Sequence, residues 1–410
     1  MKRYIIIGGG IAGVSCVEGI RSADPEGKIT LISAEECSNY GRPLISYYLQ
    51  GKTDVAHMSY RGADFFEKNG VRVLHGVSAQ RIDTAAHRVV LSDAAVLEYD
   101  ALCLCTGSYP VVPKFEGLET VEKRFTFTTL SDALALEQAV TKESRVLIIG
   151  AGFIGLKCAE GLRDRAGSVT VCDMADHVMP ANLDADSAGI LQRHLEANGI
   201  RLIPGDSVKR FRGGTAALQS GAEEAFDVLV IAAGVRPETA LFTAAGGKAG
   251  RGIPVDAAMK TALPDIWAAG DCTESVDLTT GKPDVLAVLP NACMQGRCAG
   301  VNMAGGAAVF DNGIKMNSIG FFGLHLMSAG TYTEPVYSEL SEHSCKKLFA
   351  SRGVLTGFIL VGDVARAGIY TAMIRNRTPL DSIDFESVKR EPSLLPFGRA
   401  YRAQKLGGVV

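Results

Sequence analysis

The sequence lacks a paired-cysteine motif, although it contains ten cysteines. No Cys-x-x-Cys occurs, which argues against a thioredoxin-like dithiol, a zinc ribbon and a ferredoxin-type cluster. Six of the ten lie in apolar runs, where small buried thiols are common: Cys16, Cys103, Cys105, Cys158, Cys172 and Cys298. We therefore predict chemistry that does not depend on a cysteine pair of the chain itself.

A long apolar run and an excess of charge are also missing. The formal net charge of −3 gives no indication of binding to nucleic acid or to an anionic membrane. No apolar run reaches about 18 residues, so no transmembrane helix is expected. Met1–Tyr4 leads directly into an isoleucine-rich strand rather than a signal peptide, and we expect a cytoplasmic protein. None of the seven histidines has metal-ligand spacing, and no metal site is predicted.

What the sequence does contain is an internal repeat. Residues 6–21 and 148–163 share three glycines, a Cys, a Glu, a further Gly and an Arg at matching positions. A second strand candidate follows each segment, at residues 28–33 and 168–173. The chain therefore contains two copies of one βαβ unit. Its 410 residues correspond to two to four domains at about 150 residues each.

Both copies carry Gly-x-Gly-x-x-Gly between a β-branched strand and a helix. Gly8 and Gly150 allow a tight turn, and Gly13 and Gly155 let the helix pack closely on the strand. The middle glycines, Gly10 and Gly152, leave room for a pyrophosphate to approach the backbone, where free N–H groups and the helix dipole hold it. One such motif is weak evidence, but two aligned copies predict two dinucleotide sites.

The acidic residue after each unit indicates which dinucleotide binds. Asp173 ends the second strand of the second copy, where a carboxylate accepts both ribose hydroxyls and repels a 2′-phosphate. Residues 174–177 contain no Arg or Lys, so we predict NADH rather than NADPH at that site. In the first copy, Glu35 is the ribose candidate and Glu36 is its rival.

Further segments carry a resemblance to a known family. Four segments resemble, in order and spacing, parts of the two-dinucleotide flavoprotein reductases. The two crossover segments of that family resemble residues 102–110 and 231–237. Its late FAD fingerprint resembles residues 266–272, and its flavin-facing helix resembles residues 290–296. This superfamily is related to glutathione reductase and includes the pyridine nucleotide-disulfide reductases. The resemblance covers nearly the whole chain and implies FAD at the first dinucleotide site and NADH at the second.

The resemblance also implies a fold and a set of binding residues. We expect an α/β protein with two doubly wound Rossmann-like domains: an FAD domain split into residues 1–114 and 242–303, and an NAD domain inserted at 115–241. Residues 304–410 form a C-terminal α+β interface or dimerisation-like module. The FAD-binding positions are expected to be Gly8, Gly10, Ile11, Ala12, Gly13, Glu35, Arg42, Pro43, Ala79, Thr106, Gly107, Gly234, Gly270, Asp271, Asn291 and Ala292. The NAD-binding positions are expected to be Gly150, Gly152, Phe153, Ile154, Gly155 and Asp173.

Residues 40–49 indicate which branch of this superfamily the chain resembles. They resemble the flavin-side loop of NADH–rubredoxin reductases, of nitrite reductase reductase domains and of ferredoxin reductases. Pro43 stands about where peroxide-forming or disulfide-reducing relatives carry a single redox cysteine, and Cys37 lies six residues earlier. Residues 290–323 and the basic tail also resemble the FAD subunit of phenylglyoxylate dehydrogenase, the NAD-facing subunit of an iron–sulfur complex.

Two residues are the catalytic candidates. Arg42, with the N-terminus of the helix near Pro290, is expected to supply positive charge at the flavin N5 and N1–C2 edge. Lys157 stands where the family usually carries Glu near the nicotinamide. Two interpretations of Lys157 remain open: a structural pair with Glu160 one turn on, and a contact with the flavin or nicotinamide edge.

Three functional hypotheses follow. The leading one is an FAD-dependent NADH oxidoreductase that exchanges electrons with an iron–sulfur or rubredoxin-like protein, either free or as a subunit of a larger complex. The second is an NADH oxidase or coenzyme A-disulfide reductase, which would need an active thiol such as Cys37. The third is a non-catalytic NADH-sensing flavoprotein. The electron acceptor, the direction of transfer and homodimer formation stay open.

Overall fold

The computed structural model describes residues 1–406, which group into two compact units. Unit 1 comprises Met1–Pro113, Thr126–Ala139 and Ala233–Gly313. Unit 2 comprises Lys114–Phe125, Val140–Ala232 and, among the described residues, 314–406. The last four residues of the expected C-terminal module lie outside the described residues. Each unit contains one copy of the repeat.

The strands are short and numerous. In chain order they are β1 Arg3–Ile7, β2 Lys28–Ile32, β3 Val71–Leu74, β4 Ala79–Asp83, β5 Arg88–Leu91, β6 Val96–Glu98, β7 Ala101–Leu104, β8 Ser108–Pro110, β9 Arg124–Phe125, β10 Arg145–Ile149, β11 Ser168–Asp173, β12 Ile200–Pro204, β13 Val208–Arg212, β14 Thr215–Leu218, β15 Glu223–Ala225, β16 Val228–Ile231, β17 Val235–Pro237, β18 Ile253–Pro254, β19 Ile266–Ala268, β20 Thr273–Val276, β21 Pro283–Asp284, β22 Met316–Phe321, β23 Leu324–Gly330, β24 Pro335–Leu340, β25 Cys345–Ser351 and β26 Val354–Val361.

Helices connect the parallel strands and close the C-terminal part. In chain order they are α1 Ile11–Ala23, α2 Ile45–Leu49, α3 Phe65–Lys68, α4 Leu130–Ala139, α5 Phe153–Leu162, α6 Ala185–Ala197, α7 Ala240–Ala244, α8 Leu289–Met303, α9 Ala367–Arg375, α10 Phe385–Arg390 and α11 Arg399–Leu406. None of these helices combines the length and the apolar composition needed to cross a bilayer.

Four of the five strands in the main sheet of each unit follow the same order, and only the edge strand beside β7 or β16 comes from a different place in the chain. In unit 1 the order is β19-β7-β1-β2-β3, and in unit 2 it is β9-β16-β10-β11-β12. All neighbours in both sheets are parallel. The central strands β1 and β10 are buried over four consecutive residues because a parallel sheet is covered on both faces. The duplication predicted from the glycine motifs thus extends to four strands of each sheet, and the doubly wound α/β fold is confirmed.

The last part of unit 2 is built on an antiparallel sheet. Its strand order is β22-β23-β26-β25-β24. Strand β26 is buried from Leu355 to Val361 and pairs with β23 on one side and β25 on the other, so it is the central strand of this sheet. Helix α9 lies on this sheet, with the Tyr370 and Phe358 rings 5.7 Å apart.

The compact units group some residues differently from the domain boundaries given above. Residues 126–139 belong to the first unit rather than to the NAD-binding segment, because α4 is held there by side-chain bonds such as Tyr48 to Glu137. The C-terminal residues from Ile314 onward group with the NAD-binding segment. The three-domain division itself stays a prediction.

Candidate functional site

The glycine turn after β1 opens onto a cavity. Gly8 has φ +121°, and a Cβ there would lie 2.0 Å from the Cys105 carbonyl oxygen. A Cβ on Gly13 would lie 2.0 Å from the Gly8 carbonyl oxygen, so α1 and the turn touch directly. A Cβ on Gly10, in contrast, would meet no atom within 4 Å. The turn therefore leaves open the one position at which a bound phosphate must approach the backbone.

The cavity has a volume of about 580 Å³ and lies wholly in unit 1. Of the predicted FAD-binding residues, twelve line it: Gly8, Gly10, Ile11, Ala12, Glu35, Arg42, Ala79, Thr106, Gly107, Gly270, Asp271 and Ala292. They come from both segments of the expected split domain. The open glycine turn, the cavity and the polar side chains along it fit a dinucleotide such as FAD.

Four other predicted positions lie outside this lining. Gly13 is behind the turn, and Pro43 is exposed in a short 3-10 helix, Arg42–Leu44. Asn291 is fully buried in α8 and donates from Nδ2 to the Leu286 carbonyl at 3.2 Å. Gly234 lies between β16 and β17 with φ +101°. Their contribution to FAD binding stays a prediction.

Sequence reasoning missed several residues of the lining. Glu238 and three residues of α7, Ala240, Leu241 and Ala244, reach the cavity. Thr106 Oγ1 donates to the Glu238 carbonyl at 2.7 Å, which joins the two crossover segments. Tyr60 also lines the cavity. No local sequence pattern identifies these residues, because the contacts that bring them to the cavity join positions up to 132 residues apart in the sequence.

Asp271 is a carboxylate in the cavity wall. Burial raises its pKa above the ordinary range, and the charge of Arg42 opposes that rise. The preceding residue, Gly270, is fixed because its N–H donates to Gln295 Oε1 of α8 at 2.8 Å. The α8 N-terminus borders the cavity through Leu289 and Ala292, and its first turn has no side-chain cap. Its dipole therefore adds positive potential there.

Glu35, Tyr40 and Arg42 form one network at the cavity. Arg42 is paired with the Glu35 carboxylate and donates from Nη1 to the Thr128 carbonyl at 2.8 Å. Tyr40 donates its hydroxyl to the second carboxylate oxygen of Glu35 at 2.6 Å. The guanidinium also lies 5.6 Å from the Tyr40 ring centroid. Glu35 is thus held by two donors.

This contact bears on the roles predicted for Arg42 and Glu35. Glu35 is the candidate for the ribose, and Arg42 is the candidate for the flavin N5 edge. The adenosine ribose and the flavin lie on opposite sides of the pyrophosphate in FAD, whereas the two side chains touch. Both roles stay predictions. If Glu35 binds the ribose, Arg42 serves the adenosine and pyrophosphate half, and α8 remains as the predicted source of positive charge at the flavin.

Cys37 lies close to this network, in surroundings that favour the thiol over the thiolate. Burial raises the pKa of its thiol, and the charge of Glu35 raises it further. At neutral pH the thiol form is favoured, and the thiolate is the reactive species. The ten cysteines, all among the described residues, form no disulfide.

The second glycine turn, after β10, repeats the geometry of the first. A Cβ on Gly155 would lie 1.9 Å from the Gly150 carbonyl oxygen, whereas one on Gly152 would meet no atom within 4 Å. Phe153 and Ile154 begin α5 directly after the turn. Asp173, at the end of β11, accepts from the Ala151 N–H at 2.6 Å and so lies beside the turn. This arrangement fits an NAD pyrophosphate and ribose.

Lys157 forms the pair that one of its two interpretations predicts. Its ammonium is paired with Glu160 and donates to the Gly320 carbonyl at 3.2 Å. The second Glu160 oxygen accepts from the Phe322 N–H at 2.7 Å. Both side chains are buried, with 11% and 6% of their surface exposed. The pair therefore fastens α5 to the turn between β22 and β23. A contact of Lys157 with nicotinamide stays a prediction.

Among residues 1–406, no group of three or more His, Cys, Asp and Glu side chains is arranged to hold a metal ion. His194, for example, lies against a backbone oxygen instead, with Nε2 3.0 Å from the Phe321 carbonyl.

Comparison with known proteins identifies the family of the chain and several relatives. The family described as pyridine nucleotide-disulphide oxidoreductase matches residues 2–296. The epsilon subunit of NADH-dependent phenylglyoxylate dehydrogenase from Aromatoleum evansii is 29% identical over 391 residues, 92% of this chain and 92% of that subunit. An NADH oxidase from Methanocaldococcus jannaschii is 32% identical over 320 residues, 75% of this chain and 71% of the oxidase.

A solved structure with the same fold is that of the covalent putidaredoxin reductase–putidaredoxin complex. Its similarity has a TM-score of 0.87 at 22% identity and covers 95% of this chain and 96% of that one. The family match spans both glycine turns and the cavity in unit 1. The chain is an NAD(H)-dependent FAD oxidoreductase. It belongs to the pyridine nucleotide-disulphide oxidoreductase family.

Proposed function

We propose that this chain passes electrons between NADH and an iron–sulfur or rubredoxin-like protein, either as a free reductase or as the NAD-facing subunit of a larger dehydrogenase. FAD supplies the chemistry, since it accepts two electrons as hydride and releases them singly. The observation that carries the proposal is the pairing of two dinucleotide turns with the lack of an activated thiol at the FAD cavity. Cys105 lines the cavity and Cys37 lies near Glu35, and the pKa of each thiol is raised.

The residues of the chain bind, orient and balance charge. The Gly10 and Gly152 turns hold the pyrophosphates, and Asp173 accepts from the NADH ribose. Glu35 and Arg42 hold the adenosine half of FAD. The α8 N-terminus offers positive potential to the negative charge that reduction places on the flavin. No side chain has to transfer a proton in hydride transfer itself.

Two relatives support the proposal that the chain works with a redox partner. The Aromatoleum protein is a subunit of an NADH-dependent dehydrogenase. Putidaredoxin reductase was crystallised with a protein partner, putidaredoxin. The NADH oxidase from Methanocaldococcus supports the oxidase alternative, but the raised pKa of Cys37 weighs against a thiol-dependent route in this chain.

The direct test supplies candidate acceptors under anaerobic conditions. The FAD-loaded chain is mixed with NADH and, separately, a [2Fe–2S] ferredoxin and a rubredoxin, and reduction is followed by the absorbance of the acceptor. We expect at least one of them to be reduced through many turnovers. If neither is reduced and ferricyanide is not reduced either, while NADH still binds, the sensing alternative replaces the proposal.

A further inference from the structure

Tyr40 is buried between the FAD cavity and helix α4, with 6% of its surface exposed. Its hydroxyl accepts a hydrogen bond from the Leu130 N–H at 3.1 Å and donates one to Glu35 at 2.6 Å. A hydroxyl has one hydrogen to donate. Because the Leu130 amide occupies an acceptor lone pair, the hydroxyl hydrogen is directed at the carboxylate. The backbone at the start of α4 thereby fixes the direction in which Tyr40 donates.

The second donor to Glu35 is fixed by the same segment. Arg42 bonds the Thr128 carbonyl at 2.8 Å while it pairs with Glu35. Residues 128 and 129 are in turn tied to α4, since the Thr128 and Thr129 N–H groups donate to Asp132 at 2.7 and 3.1 Å. Glu35 is therefore oriented by two side chains that are both anchored about 90 residues away in sequence.

We propose that Tyr40 is a positioning residue for FAD binding: it orients the Glu35 carboxylate so that the oxygen lone pairs that remain face the adenosine ribose. The inference rests on the role of Glu35 in the proposed function. Tyr40 itself is not in the cavity lining, so it acts through Glu35. Its phenol keeps one carboxylate oxygen occupied and the carboxylate plane fixed, which reduces the freedom that Glu35 loses when FAD binds.

The test is a double-mutant cycle read out by FAD affinity. The dissociation constant of FAD is measured by fluorescence quenching for four apoproteins: the wild type, Tyr40→Phe, Glu35→Gln and the double variant. A hydrogen bond to a charged group is worth enough to predict a loss of about tenfold to a hundredfold in affinity for Tyr40→Phe. In the Glu35→Gln background, the same substitution should change the affinity less than about threefold.

Tyr4→Phe is the matched control. Tyr4 is also a buried tyrosine of unit 1 that donates to a carboxylate, Asp24, at 2.8 Å, but neither residue lines the cavity. The control should lower the melting temperature by a similar amount and leave FAD affinity unchanged. Once saturated with FAD, Tyr40→Phe should keep the wild-type KM for NADH.

The possible outcomes separate this inference from the proposed function. Wild-type affinity for FAD in Tyr40→Phe, or an equal loss in both backgrounds, would overturn the positioning role and leave the electron-transfer proposal intact. Loss of affinity in Tyr4→Phe to the same degree would overturn it as well, because the effect would then be one of general stability. Conversely, failure to reduce the ferredoxin, the rubredoxin and ferricyanide would refute the proposed function without altering the FAD-binding cycle.

Discussion

At the scale of single residues, the structure shows the partners of two charged side chains. Arg42 pairs with Glu35, so its charge is already engaged near the predicted ribose site. This contact does not follow from a motif, because a motif gives a residue type and spacing but not the rotamer that selects a partner. Lys157 pairs with Glu160 inside unit 2, which is one of the two interpretations that the helical spacing left open. The positions of the two glycine turns, and of Asp173 beside the second turn, could in contrast be predicted from the sequence, because the spacing of the glycines reflects the backbone geometry that the turn needs.

Substitution of Cys37 tests the thiol alternatives. We predict that Cys37→Ser keeps NADH:ferricyanide activity within about twofold of wild type, because the raised pKa leaves little thiolate to participate. Steady-state rates of both proteins, each normalised to bound FAD, measure this. A loss of more than tenfold at full FAD occupancy would revive the oxidase or disulfide-reductase hypothesis.

The same pKa shift predicts how Cys37 reacts with iodoacetamide. A raised pKa depletes the thiolate at pH 7.5, and its fraction increases about tenfold for each pH unit up to the pKa. Alkylation of Cys37, followed by mass spectrometry, should therefore be slower than that of a free cysteine at pH 7.5 and still be accelerating at pH 9. A rate that levels off below pH 8 would contradict this assignment.

Removal of one partner of the buried pair should destabilise the protein. Lys157→Met leaves the Glu160 carboxylate buried without its ammonium partner, and such a loss costs about 3–5 kcal/mol. We expect the double variant Lys157→Met/Glu160→Leu to recover part of that free energy of unfolding, measured by urea denaturation. If the single variant is as stable as wild type, the pair does not hold the turn between β22 and β23.

At the scale of elements, the two strand–turn–helix units explain how one chain holds two dinucleotides. Their β-branched strands and glycine spacing predicted β1, α1, β10 and α5 and the parallel sheets around them. The segments that cross between the sheets were harder to predict, since Glu238 and α7 reach the cavity through contacts between distant positions. Helix α4 is a second example, because it packs with unit 1 although its neighbours in sequence belong to unit 2.

Two alanine substitutions in one glycine turn should have different effects. Gly10 has φ −77°, which alanine adopts freely, and its Cβ would enter only the open cavity. Gly10→Ala should therefore fold normally but lose FAD affinity by at least about tenfold, as the pyrophosphate can no longer approach the backbone. Gly13→Ala places a Cβ 2.0 Å from the Gly8 carbonyl oxygen and should lower the melting temperature instead.

Calorimetry of the Gly10→Ala and Gly13→Ala apoproteins measures their melting temperatures, and titration with FAD measures the affinity of each. Gly10→Ala should lower the affinity for FAD, and Gly13→Ala should lower the melting temperature. Equal effects of both substitutions on both quantities would show that the turn has a structural role alone.

At the scale of the whole molecule, the chain joins two dinucleotide-binding units. Its ten cysteines form no disulfide, and its described residues contain no group of side chains arranged to hold a metal ion. The fold class, the cofactors and the family could be predicted from the sequence, because repeated motifs in a fixed order carry that information. The acceptor could not, because its recognition depends on a surface rather than on a motif.

The measurement that tests the central claim most directly compares two rates of NADH oxidation by the purified FAD protein: one without oxygen and with ferricyanide or a viologen dye, the other in air without dye. A one-electron carrier should be reduced many times faster than oxygen, because the chain is built to pass electrons to a partner. An equal or faster reaction in air, with little response to the dye, would contradict the account and identify oxygen as the acceptor.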